Sequence, residues 1–260
     1  MRVDGPELDA YLARIGAARP ARADAAALRE LQVRHLLAVP FENLSIHLGE
    51  PIVLEPGALW DKLLRRRRGG FCYELNGAFS ELLSALGFEV ALLAARVFGD
   101  GGPGPPFDHL ALRVDVVGAG PWLADVGFGR HSSYPLRLDT AAEQADPGGT
   151  FRVAETADGD LDVIRDGQPQ YRVEQRPRSL GDFEPTCWWQ QTSPKSHFTR
   201  SLVCSLLTEH GRVTLSDRTL IHTTGGRRDE CTLTDDAEVL DAYRTHFGIV
   251  LDRLPTPPTP

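Results

Sequence analysis

The chain has 260 residues, 42% of them hydrophobic and 25% charged, an ordinary globular composition with length for one large domain or two to three small ones. Its net charge of −8 argues against nucleic acid as the main partner, since phosphate binding needs a positive surface and the basic run at residues 65–68 is too short to supply one. The opening MRVDGPELDAYLARIG carries early acidic residues and no apolar run, so neither a signal peptide nor a membrane anchor is expected.

In chain order, residues 6–15 form a short amphipathic stretch. Asp24 is placed to cap a second helix bearing Leu28, Leu31 and Leu36. A third helix is expected from about Pro56 through Leu63, with its stop at Gly69-Gly70. A fourth carries Leu75, Phe79, Leu82, Leu83 and Leu86 at helical spacing and ends at Gly87. The period then changes. Residues 88–98 are apolar, and residues 109–117 place Leu110, Leu112, Val114 and Val116 on one face, as a half-buried strand does. Residues 122–126 are a further strand candidate. Asp158-Gly159 and Asp166-Gly167 divide residues 150–175 into a β-meander. Residues 202–207 and 212–222 flank a turn at Glu209-His210-Gly211. Asp235 with Glu238 starts a last helix ending at Gly248, and residues 255–260 are a proline-rich tail expected to fray. Helices, then antiparallel strands, then a mixed segment make an α+β protein with sequential sub-domains.

Four cysteines (Cys72, Cys187, Cys204, Cys231) are scattered without a C-x-x-C pair, which suggests free thiols in the cytoplasm rather than zinc or a disulfide scaffold; no metal site is expected. Cys72 stands apart. It follows the glycine pair where the fourth helix begins, and a helix N-terminus favours a thiolate. Its spacing to Leu75 and Phe79 puts it on the buried face, inside a cleft. A buried structural cysteine is the competing explanation. A thiolate nucleophile needs a base and a group to orient it. Among eight histidines spacing alone chooses none, although His109 opens a strand after a loop and Asp125 lies on the next strand beside Gly127 and Gly129.

The string RRGGFCYELNGAF (67–79) resembles the active-site segment of the arylamine N-acetyltransferases. PFENL (40–44), DHLALRV (108–114), DVGFG (125–129), SPKSHF (193–198) and GRVTL (211–215) resemble further blocks of that family in the right order, over about residues 8–252. The resemblance implies a catalytic triad of Cys72, His109 and Asp125. It implies an N-terminal helical bundle (1–87), a central antiparallel β-barrel (88–190) and a C-terminal α/β lid (191–260), with a cysteine-protease-like catalytic core. It also implies acetyl transfer from acetyl-coenzyme A, as donor substrate and not bound cofactor, to arylamines or hydrazines through an acetyl-cysteine in ping-pong order. Phe128 and Gly129 are expected at the pocket mouth near the acyl donor, Phe71 and Tyr73 as aromatic substrate-binding residues flanking the triad, and Arg67 with Glu42 as a pair propping up the active-site turn. No nucleic-acid or membrane partner is expected, and a homodimer is left open. An amide synthase of the same family, releasing a polyketide chain as a macrolactam, is the nearest alternative. A thiol hydrolase and a non-enzymatic binding protein on the same scaffold stand further off.

Overall fold

A computed structural model describes residues 5–256. Helix α1 (Gly5–Ile15) buries Leu8, Tyr11, Leu12 and Ile15 along one stripe. In α2 (Ala25–Ala38) the Asp24 carboxylate accepts from Ala27 N at 2.9 Å, the expected N-cap. A two-residue strand β1 (Phe41–Glu42) and a short helix α3 (Leu44–Leu48) follow. Helix α4 (Pro56–Trp60) widens into a π-helical turn, Asp61–Arg65, and so ends before the glycine pair. Arg67 takes a left-handed backbone (φ 51°), which reverses the chain and sends it into α5 (Cys72–Ala85). Most of α5 is buried, as in a helix surrounded by other elements.

The middle of the chain is β2 (Glu89–Gly99), β3 (Gly102–Pro103), β4 (His109–Val116), β5 (Gly120–Ala124), β6 (Leu136–Arg137), β7 (Gln144–Asp146), β8 (Gly149–Glu155), β9 (Leu161–Arg165) and β10 (Gln168–Arg178). They form one antiparallel sheet in the order β6-β5-β4-β2-β10-β9-β8-β7, with β3 paired to β2. The sheet curls into a nearly closed barrel. At its seam Gln144 stands in for a main-chain pair: its Oε1 accepts from Arg137 N at 2.7 Å and its Nε2 donates to Arg137 O at 3.0 Å. Asp166 (φ 49°) and Gly167 (φ 78°) turn β9 into β10 with both central residues left-handed, as a two-residue hairpin requires.

A 3₁₀ turn, Leu180–Phe183, then α6 (Glu184–Thr192) and α7 (His197–Arg200) lead to β11 (Val203–Thr208), β12 (Gly211–Ser216), β13 (Thr219–Thr224) and β14 (Arg227–Thr232). With β1 they make a five-stranded sheet ordered β1-β11-β12-β13-β14. Residues 202–207 and 212–222 do flank a turn at 209–211, and the second of these stretches is itself a hairpin, turned at left-handed Asp217 (φ 49°). Helix α8 (Asp236–Phe247) has the expected Asp235–Glu238 capping box and a left-handed Gly248 behind it. Of the tail expected to fray, residues 257–260 lie outside the described residues.

Strand β4 separates two cores. Leu110, Leu112, Val114 and Val116 pack with α5 in the helical cluster, while Ala111 packs with Leu93, Leu123 and Val173 inside the barrel. The start of the strand is therefore buried on both faces, not half-buried. A third cluster joins Leu44 and Leu48 of α3 to β11, β12 and α8.

Candidate active site

The turn before Cys72 is zipped to the segment 40–44. Glu42 N donates to Gly70 O at 2.8 Å and Gly70 N to Pro40 O at 3.4 Å. Gly69 has no room for a side chain, since a Cβ would sit 1.9 Å from Pro40 O. Beneath the turn lies the fully buried Glu42. Its Oε1 accepts from Arg68 Nε at 3.0 Å and its Oε2 from Leu44 N at 2.6 Å. Burial alone would raise the Glu42 carboxyl, but Lys62, Arg68 and the Leu44 N–H outweigh it and hold it below the usual range. The partner of Glu42 is thus Arg68 and not the expected Arg67. Arg67 occupies the left-handed turn and is exposed, whereas Arg68 is turned inward and buried. Lys62 Nζ bonds Glu74 Oε1 at 2.6 Å, and Glu74 Oε2 accepts from Phe71 N at 3.2 Å, which fixes the entry to α5.

Cys72 is the first residue of α5 and is buried. Phe71, at the N-cap position, offers no side-chain acceptor, so the first N–H groups of the helix keep no side-chain cap. The Leu110 N–H, next to His109, acts on the Cys72 thiol as a favourable dipole. Burial pushes this thiol well up; Asp108, Cys187 and Asp125 add to the rise and the Leu110 N–H opposes it. The expectation of a thiol lowered by the helix start therefore fails for Cys72 taken alone. Complete burial shifts a group by up to ~3–5 units, whereas a helix terminus contributes ~0.3–1 kcal/mol and rarely ~2. A thiolate forms here only by giving its proton to a base whose cationic form is stabilised.

His109 and Asp125 supply that arrangement. His109 Nε2 donates to Asp125 Oδ2 at 2.8 Å, both side chains buried, which leaves Nδ1 as the nitrogen able to take a proton. Asp125 Oδ2 also accepts from the Tyr171 hydroxyl at 3.0 Å, while Oδ1 accepts from Asn76 Nδ2 at 2.8 Å and Gly127 N at 2.9 Å. Burial works to raise the Asp125 carboxyl. The His109 charge and hydrogen bond, with His131 and Asn76, overcome it and hold the group well below the carboxylate range. Tyr171 gives its one hydroxyl proton to Asp125, so at 3.1 Å it is His131 Nε2–H that donates to Tyr171. Behind them Gln32 Oε1 accepts from Asp125 N at 3.2 Å. Asn76, one helical turn beyond Cys72, also donates to Leu110 O at 2.6 Å and accepts from Val126 N at 2.9 Å, so α5, β4 and the loop after β5 meet at one side chain. Gly127 lies against the nucleophile: a Cβ there would be 2.7 Å from Cys72 Cα and from Asn76 Nδ2.

Beside this cluster a cleft of about 930 Å³ opens between the barrel and the five-stranded sheet. Phe128 and Gly129 line it, and the Phe128 ring is 5.1 Å from the His109 ring. Phe71 and Tyr73 do not line this cleft. Both are fully buried, their rings in edge contact at 5.0 Å, and the Tyr73 hydroxyl donates to Phe107 O at 2.8 Å. They brace the start of α5. Asn76, Gln32, Tyr171 and His131 went unnoticed in the sequence. For Asn76 a signal existed: a polar residue four after Cys72, within the apolar stripe of α5.

A sequence model described as N-acetyltransferase matches residues 24–255. An arylamine N-acetyltransferase of Mycolicibacterium smegmatis is 37% identical over 95% of this chain and 94% of its own length. The chain belongs to the arylamine N-acetyltransferase family. Two solved family structures superpose closely. That of the M. smegmatis arylamine N-acetyltransferase has a TM-score of 0.86 at 38% identity, covering 93% of this chain and 92% of that one. That of a Mycobacterium marinum arylamine N-acetyltransferase in complex with CoA has a TM-score of 0.86 at 34% identity, with the same coverage. Family membership accounts for helices, barrel and second sheet occurring in this order. Among the described residues no helix is long and apolar enough to cross a membrane.

Proposed function

We propose that the chain transfers acetyl groups from acetyl-coenzyme A to arylamines and arylhydrazines through an acetyl-Cys72 intermediate, with Cys72, His109 and Asp125 as the catalytic triad. The observation that carries this is the buried Cys72 at the start of α5, a helix that holds Asp125 through Asn76 at 2.8 Å, beside a buried His109–Asp125 pair at 2.8 Å. The Cys72 proton passes to His109 as Sγ attacks the thioester carbonyl. The uncapped N–H groups at the start of α5 stabilise the oxyanion. Collapse breaks the bond from carbonyl carbon to coenzyme A sulfur, and the coenzyme A thiolate takes the proton back from His109. An amine then attacks acetyl-Cys72, gives its proton to His109 and leaves as the amide, restoring the thiol. Asp125 fixes the Nε2–H tautomer and stabilises the imidazolium. A weakly basic aromatic amine or hydrazine arrives neutral and keeps its lone pair, whereas an alkyl amine would first have to lose a proton and a hydration shell. The four cysteines are free thiols, which suits work in the reducing cytoplasm.

Incubation with acetyl-coenzyme A and no acceptor is expected to add one acetyl group to the Cys72 peptide, read by mass spectrometry. Adding an aniline or arylhydrazine should discharge it, and double-reciprocal plots should be parallel. Acetylation of Cys72 only by a carrier-protein or long-chain thioester, with no aromatic amine turned over, would replace this reading by the amide synthase.

A further inference from the structure

The cleft beside Phe128 holds positive charge that the triad does not use. Arg130, Arg165, Arg212 and Arg228 line it, against one acidic lining residue, the exposed Glu209, in a chain whose net charge is −8. Arg212, on β12, is only partly exposed and donates from Nη1 to Ser205 Oγ at 3.1 Å. Among the described residues neither Arg130 nor Arg212 has a carboxylate at ion-pair distance, and Arg165 has only its exposed chain neighbour Asp166, at 3.5 Å. Burial pushes the Arg212 guanidinium down to about 10, and the charges of Arg130 and Arg165 push the same way. Cations gathered in a partly buried cleft repel one another and lose hydration, which an anion between them reverses.

We propose that Arg130, Arg165 and Arg212 form the site that holds the phosphate groups of the nucleotide end of the acyl donor. The proposal rests on the acetyl-coenzyme A reading above. Guanidinium forks match phosphate oxygens in pairs, so an arginine cluster selects phosphate over a single carboxylate. Position agrees with this role. The cleft runs from the arginines on β9 and β12 to Phe128, and Phe128 touches the His109 ring. A donor with phosphates at one end and a thioester at the other, joined by a slender arm, fits that polarity. The arginines then act in binding the donor and not in the acyl transfer itself.

The test compares donors with and without the nucleotide. Arg212→Gln is expected to raise KM for acetyl-coenzyme A roughly 10- to 100-fold, the range for losing a hydrogen bond to a charged group, with kcat little changed. Acetylation from p-nitrophenyl acetate, which has no phosphate, should change little in the same protein. Adenosine 3′,5′-bisphosphate should compete with acetyl-coenzyme A in the wild type and more weakly in the variant. Arg130→Gln, at an exposed position, repeats the test should Arg212→Gln fail to fold. Unchanged KM for acetyl-coenzyme A in the folded variants overturns the site and leaves the acetyltransferase reading standing. A wild-type enzyme acetylated by the ester but not by acetyl-coenzyme A overturns the donor reading, and the site with it.

Discussion

Asn76 donates to Asp125 at 2.8 Å from a position one helical turn beyond Cys72, so the helix that carries the thiol also holds the carboxylate that orients the base. The same amide spans Leu110 O and Val126 N. Asn76→Ala leaves those two buried groups without partners, at about 1–3 kcal/mol each. A destabilisation of roughly 2–5 kcal/mol is expected, with kcat/KM down about 10- to 100-fold as Asp125 loosens. Asn76→Asp should be worse, because it sets a second carboxylate against Asp125. Melting temperatures and steady-state kinetics on the same preparations check both. Near-normal turnover in folded Asn76→Asp would show that Asn76 does not position the pair.

Asp125→Asn tests orientation and satisfaction together. Each Asp125 oxygen accepts from two donors: Asn76 and Gly127 on Oδ1, His109 and Tyr171 on Oδ2. An asparagine must turn its NH₂ toward one of these pairs, whichever way it flips. The variant is expected to lose activity by about 10²–10⁴, from the wrong imidazole tautomer, and to lose roughly 2–4 kcal/mol of stability from the clashing donors. Single-turnover acetylation of Cys72 beside a urea titration separates the two effects. A fully stable, fully active Asn variant would remove Asp125 from the mechanism.

What the sequence made legible follows from how each feature is encoded. Helices α1, α2, α5 and α8 show in apolar spacing and caps, and the hairpins after β8 and β9 show in their Asp-Gly turns. Strand β14 was invisible because it is exposed throughout and polar, with Arg227–Asp229 and Arg228–Glu230 pairs of the kind that keep a sheet edge from recruiting another strand. The turn at Asp217 has no glycine to announce it. In the site, the motif strings marked Cys72, His109 and Asp125, but which arginine meets Glu42 depends on one left-handed residue. Tyr171 reaches Asp125 from β10, and His131 in the loop after β5 reaches Tyr171, across 46 and 40 residues of sequence, separations that no local pattern carries.

The arginine register gives a direct contrast. Arg68→Ala leaves Glu42 buried with Lys62 at 3.9 Å as its remaining cation. Breaking a buried pair in this way costs about 3–5 kcal/mol, and the zipped turn carrying Cys72 should loosen with it. Arg67→Ala removes an exposed side chain and should stay within about 0.5 kcal/mol of wild type. Denaturant midpoints of the two variants decide. Equal losses would mean that both arginines support the turn.

The pH dependence of stability should be set largely by two buried histidines. Burial pushes His35 down to about 3, with Arg14 adding to the effect, and pushes His131 down to about 4, with Asp125 opposing in part. In the unfolded chain both titrate near ~6.5. Below that pH the unfolded chain takes up protons that the folded chain refuses, so this stability is fully present above ~6.5 and is lost as the pH falls toward the folded values. At ~1.4 kcal/mol per unit, His131 alone removes roughly 3 kcal/mol on the way to its folded pKa. Asp108 works in the opposite sense. Burial raises its carboxyl to about 6, so between there and the ordinary carboxylate range the folded chain takes up a proton that the unfolded chain does not, offsetting part of the loss. Urea unfolding between about pH 7.5 and about pH 4.5 should show stability declining below ~6.5. His131→Gln keeps an N–H donor for Tyr171 and removes the titration, so its profile should be shallower than that of the wild type. A His131→Gln profile as steep as the wild type's would mean that this ring takes up its proton equally in both states.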